Sequence, residues 1–144
     1  MEASIRTADC NGKFFFSPER PGLRKKHRAF DHGVILKVDN GITDYYSWWL
    51  EKHKGVRISK PAWGTHVTVV NDRDNVKDKN AFHSLKHRLN EKIIQLKYDV
   101  NLRKQWQFWI LDVQPSEILT NIREELGLRT DYPFHITIGR DDCE

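Results

Sequence analysis

Twice along this chain a short apolar run, an amphipathic stretch and a second apolar run follow in that order. Both times the second run contains His-x-Thr. The first pass covers Val34-Ile35-Leu36-Lys37-Val38, a stretch over Asp44–Lys54, and Thr65–Val70 with His66-Val67-Thr68-Val69. The second covers Gln107–Val113, a stretch opened by Pro115 with Ile118, Ile122 and Leu126 four apart, and Phe134–Ile138 with His135-Ile136-Thr137-Ile138. β-Branched runs bounded by turn signals predict strands, and apolar residues at helical spacing predict helices. From Val38 to His66 is 28 positions and from Val113 to His135 is 22, a difference that the loop Val56–Ala62 can absorb. The approaches match too. Trp63 and Tyr132 each lie three residues before their histidine, and Lys60-Pro61 is echoed by Arg129 and Pro133. A repeated unit of this kind predicts one domain over 1–144 built from two similar halves, 33–79 and 107–140.

The remaining segments fill in an α+β chain. Asp39-Asn40-Gly41 reads as a turn, Thr43 as the cap of the first helix and Gly55 as its stop. Asn71–Lys79 is a charged loop, and Asn80–Lys92 a helix with Phe82, Leu85 and Leu89 on one side. Ile93–Val100 reads as a strand, with polar Asn101–Gln105 as its connection to the next. Residues 1–32 read as irregular, with Phe14, Phe15 and Phe16 as a short edge strand before Pro18 and Pro21-Gly22. A basic run follows: Arg20, Arg24, Lys25, Lys26 and Arg28 around His27. It is either a solvated loop or an arm for phosphates.

Composition narrows the class. At 144 residues, 38% hydrophobic and 11% aromatic, the chain is long enough for one core and too aromatic for disorder. The net charge of +4 suits an anionic partner without requiring one. No apolar run approaches the ~18–20 residues of a membrane span. Cys10 and Cys143 lie near opposite ends, and Met1–Asp9 lacks the apolar core of a secretory signal. A reduced, cytoplasmic setting with free thiols is therefore expected, an end-to-end disulfide being the alternative.

On a strand, residues i and i+2 share a face. His66 and Thr68 project together, as do His135 and Thr137. Packed about a twofold axis, the halves would line one cleft with two imidazoles and two hydroxyls. An imidazole has an unperturbed pKa near 6.5, so one ring can serve as base while the other keeps its proton. That pair suits phosphodiester chemistry: one deprotonates the attacking oxygen and the other protonates the leaving oxygen. Threonine hydroxyls would donate to the phosphate oxygens where charge accumulates. Which histidine is which, the sequence leaves open.

The pattern H-Φ-[ST]-Φ occurring twice, with Φ apolar, resembles the signature of the two-histidine (2H) phosphoesterase superfamily, and both motifs match in full. The likeness extends from about Gly33 to Arg140. It implies two lobes of antiparallel sheet lining a central cleft, helices outside, and metal-independent phosphodiester cleavage with no cofactor. Substrates in that superfamily include 2′,3′-cyclic phosphates, 2′-5′-linked oligoadenylates, RNA 3′ tails and cyclic oligonucleotide signals. The small size resembles its compact viral and bacterial members, among them phage nucleases that destroy the cyclic nucleotide signals of antiviral defence. The Phe14–Arg28 segment has no counterpart there.

Further candidates surround the motifs. Trp63 and Tyr132 are candidates for stacking on a base, and Arg140, Arg73 and Lys60 for contacting phosphate. Each also has a plain reading, as core aromatic or surface charge. His83 and His87 share a helix face but lack the zincin glutamate and a third ligand, so no metal site is expected. The reading from another class is a non-catalytic RNA-binding module, which the basic run and the aromatics would suit. The expected partner in either case is a nucleotide or oligonucleotide; neither a membrane nor an obligate protein partner is implied.

Overall fold

The computed structural model describes residues 6–18, 32–61, 64–71 and 73–141. Trp63, the basic run Arg20–Arg28 and Cys143 lie outside the described residues. The class is α+β, with strands β1 (Thr7–Phe16), β2 (Val34–Lys37), β3 (Ile58–Ser59), β4 (His66–Val70), β5 (Ile93–Asp99), β6 (Arg103–Gln105), β7 (Phe108–Asp112) and β8 (His135–Asp141). Helices α1 (Asn40–Lys54), α2 (Lys79–Leu89) and α3 (Glu117–Glu125) are interspersed. No helix among the described residues is long and apolar enough to cross a membrane.

All the strands join one antiparallel sheet in the order β5-β1-β2-β4-β8-β7-β6, with β3 paired to β8. Two separate sheets were expected. They are one because β4 and β8 pair, Val67 opposite Ile136. The sheet curls until β5 meets the residues that follow β7. Tyr98 of β5 bridges Val113, and the Gln114 N–H donates to the Lys97 carbonyl at 2.8 Å.

Strand alternation sorts the residues onto two faces. One face carries the main core: Phe14, Leu36, Val67, Val69, Leu111, Ile136 and Ile138 are buried there against Phe82, Leu85, Leu119 and Ile122 of α2 and α3. The other face carries the alternate residues, including both His-x-Thr pairs.

Several boundaries differ from the sequence reading, each for a local reason. The Phe14–Phe16 run is no edge: β1 has 10 residues and lies between β5 and β2. Asp39 caps α1, its carboxylate accepting from the Gly41 N–H at 2.8 Å. Thr43 is buried instead, its hydroxyl bonded to that of Thr65. Ser116 caps α3, so Pro115 precedes the cap. That start turns Leu119 inward and leaves Ile118 46% exposed. The supposed linker Asn101–Gln105 contains β6, and Val56–Ala62 contains β3.

Arg123 is the one fully buried charge of the described residues. Its Nη1 donates to the Val69 carbonyl at 2.8 Å and to Asp74 at 2.9 Å, and its Nε to the Arg129 carbonyl at 2.8 Å. Burial tends to raise the Asp74 pKa, but the hydrogen bonds from Arg123 and from the Asn71 backbone, with the guanidinium charge, hold it below the usual value. A buried charge stripped of its partner is costly. Arg123→Ala, which removes the countercharge of Asp74 and the donor to two carbonyls, should lose about 3–5 kcal/mol of stability in urea denaturation. A loss below about 1 kcal/mol would refute this account of the cluster.

Candidate functional site

The site begins with the turn that delivers His66. Gly64 has φ +77°, and a Cβ there would stand 2.8 Å from Asn40 Oδ1. That same Asn40 oxygen accepts from the Thr65 N–H at 3.1 Å, so the first turn of α1 grips the residues leading into β4. Only glycine tolerates both the backbone angle and the contact. The fixed Gly64 carbonyl in turn receives His66 Nδ1 at 2.8 Å. A carbonyl only accepts, so Nδ1 carries the proton, and in the neutral ring the basic lone pair belongs to Nε2.

The backbone of Pro133, two residues before His135, is near enough to that ring to favour its cation.

The β4–β8 pairing brings the motifs together. Val67 and Ile136, opposite one another, are fully buried on the core face. Continuing that antiparallel register by one residue sets His66 against Thr137 and Thr68 against His135, on the other face. The two imidazoles are close enough for His135 to depress the His66 pKa.

The flanking strands frame the motifs in matched positions. Ile35 of β2 is opposite Thr68, and Ile110 of β7 is opposite Thr137. Lys37 is opposite His66, and Asp112 is opposite His135. Directly opposed residues share a face, so each histidine has a charged neighbour, positive for the first and negative for the second.

Electrostatics follow from those neighbours. His66 is 6% exposed, and burial pushes its pKa below 6.5. The Gly64 carbonyl pulls it back up, while His135 and Lys37 push it further down. Burial also holds His135 below 6.5, although the Pro133 backbone and Asp112 favour its cation; Arg103 opposes them. Asp112 is itself held below 3.8, chiefly by its hydrogen bonds to Arg103. That pair is a two-pronged fork, Nε to Oδ2 at 2.6 Å and Nη2 to Oδ1 at 2.8 Å.

The other residues singled out in the sequence are dispersed. Tyr132 packs under the Arg123 guanidinium, 4.2 Å from its ring centroid, and receives a hydrogen bond from Asn71 at 3.3 Å. Arg140 donates to Gln107 at 3.0 Å, and Lys60 pairs with Asp44 at 2.7 Å. Arg73 is exposed in the loop after β4, where its N–H donates to Asn71 Oδ1. His83 and His87 are exposed on α2, and no group of three or more His, Cys, Asp or Glu side chains able to hold a metal occurs among the described residues.

The sequence reading missed the cations of this face. Arg103 projects from β6 beside Asp112, and Lys13 and Lys37 lie 5.8 Å and 4.8 Å from the Phe15 ring centroid. Their positions depend on which strands pair, and that pairing carries no local sequence signal.

No protein-family model matches the chain, no curated protein matches its sequence, and no solved structure matches it.

The charge asymmetry has a measurable sign. Lys37→Met should raise the His66 pKa by removing a cation. Asp112→Asn should lower that of His135, because it removes the anion and leaves Arg103. Imidazole NMR titrations of the two variants check both directions, and a shift of opposite sign in either would overturn this electrostatic account.

Proposed function

We propose that the chain is a metal-independent phosphodiesterase that cleaves cyclic oligonucleotide signals or other small nucleotide phosphodiesters. The observation that carries this reading is the meeting of two His-x-Thr pairs on one face of adjacent antiparallel strands. The resemblance to the two-histidine phosphoesterases supports it, and so do the cations Lys13, Lys37 and Arg103 on the face that carries the motifs.

On this reading the molecule is two strand–helix–strand halves, β2–α1–β4 and β7–α3–β8, related by a pseudo-twofold axis between β4 and β8. The matched positions of Ile35 and Ile110, and of Lys37 and Asp112, support that relation. The substrate phosphate sits between the histidines, with Thr68 and Thr137 donating to its oxygens. His66, disfavoured as a cation by burial, by Lys37 and by its partner ring, is the general base. His135, with Asp112 beside it, is the general acid and protonates the leaving oxygen. The attacking oxygen is that of water or a ribose hydroxyl. The cytosol, where such nucleotides occur, is the proposed place of action.

A substrate panel in EDTA tests this. It holds cyclic di- and trinucleotides, 2′-5′ oligoadenylate, and RNA with a 2′,3′-cyclic end, the last two standing for an RNA-end-processing enzyme. Turnover of at least one substrate should survive chelation, and His66→Ala or His135→Ala should each lower it by about 10²–10⁴-fold. The kcat/KM profile should be bell-shaped, its acid limb moving up in Lys37→Met and its alkaline limb moving down in Asp112→Asn. Full turnover in the His66→Ala/His135→Ala double variant would sink the mechanism. Nucleotide binding without turnover of any panel member would favour a binding module.

A further inference from the structure

The β6–β7 hairpin carries a tryptophan that local energetics disfavour twice. Trp106 has φ +56°, in the left-handed region that a hairpin turn ordinarily gives to Gly, Asn or Asp. Its side chain is also 74% exposed, the most exposed of the large hydrophobics described. The ring neither joins the main core nor relaxes the turn.

What it does is wall a pocket. Trp106 and Phe108 stand 5.8 Å apart at 53°, and with Gln105, Ile110, His135 and Thr137 they line an open pocket of about 250 Å³. The walls are aromatic and aliphatic, the edge is the second motif, and the one polar side chain away from that motif is the amide of Gln105. Pockets for drug-sized ligands run about 300–1,000 Å³, so this one suits a single ring system beside the motif.

We propose that this pocket receives the nucleobase adjoining the scissile phosphate on the His135 side, stacked on Trp106 with its edge toward Gln105. The inference rests on the phosphodiesterase reading for its ligand class and adds the place of the base. A planar face beside a histidine is what a nucleoside phosphate needs and a bare phosphate does not. Stacking is tolerant of base identity, because every base has a π-face. An amide both donates and accepts, so Gln105 can meet a purine or a pyrimidine edge. The aromatic contact therefore lies with Trp106 and Phe108, whereas Tyr132 is engaged by Arg123.

Calorimetric titration with adenosine 3′-monophosphate and with inorganic phosphate tests the proposal without turnover. Wild type should bind the nucleotide more tightly than phosphate. Trp106→Gly should weaken the nucleotide by about 5–150-fold and leave phosphate within about twofold. Trp106→Phe should recover most of the loss. Trp106→Gly should also melt higher than wild type, since glycine relaxes the turn, which separates lost stacking from lost folding. Equal nucleotide affinity in wild type and Trp106→Gly, equal loss of both ligands, or no preference for nucleotide over phosphate in wild type would each overturn it. Failure of the catalytic reading shows instead as turnover that survives loss of both histidines, so the two claims fail separately.

Discussion

One backbone pairing holds the rest in place: β4 against β8, with Val67 facing Ile136. Both side chains are fully buried, so the register is fixed by the core and not by the residues on the other face. Side chains alternate with a period of two, and a slip of one residue would carry the histidine of the slipped strand to the wrong side. The polar groups of the motifs are thus positioned by apolar neighbours that never touch them. Losing this pairing would leave β5-β1-β2 and β7-β6 joined only at the far end, where Tyr98 bridges Val113.

The charges opposite the two histidines differ in sign. Lys37 and Asp112 occupy matched places, each opposite a histidine, with opposite sign. The β4–β8 pairing brings two identical groups together; the charges opposite them act on their proton affinities in opposite directions. Two identical histidines in identical settings would compete for one proton with no preference. The Arg103–Asp112 fork tempers the effect, because part of the carboxylate's field is spent on the guanidinium.

The motifs and helices α2 and α3 were legible in the sequence because they are periodic; α1 was placed by its turn and its Gly55 stop, but exposed Tyr45 and Trp48 hid the side it buries, that of Thr43, Tyr46 and Leu50. His66-Val67-Thr68-Val69 alternates cleanly, and the apolar spacing of Phe82 and Leu85 falls on the buried side of α2. Much of β1 was not legible. Thr7-Ala8-Asp9-Cys10-Asn11-Gly12 has few apolar residues, because one of its faces is exposed and the strand is held by backbone bonds to β5. β6 was hidden for a similar reason: Arg103, Lys104 and Gln105 are all exposed. Trp106 looked like part of the general aromatic content, since nothing in one sequence reveals a positive φ. Tyr132 was grouped with Trp63 by position, but its setting is decided by Arg123, nine residues away and buried on α3.

Arg123 ties more together than its own helix. Its donors reach the Val69 carbonyl of β4, the Asp74 carboxylate beyond that strand, and the Arg129 carbonyl on the approach to β8. One side chain therefore spans the exit from the first motif and the entrance to the second. The consequence is cooperative: neither motif can open on its own without stranding a buried charge. Amide protons of β4 and β8 should therefore exchange as a single opening unit, and a fragment keeping only one motif would lose the Arg123 bonds that join it to the other.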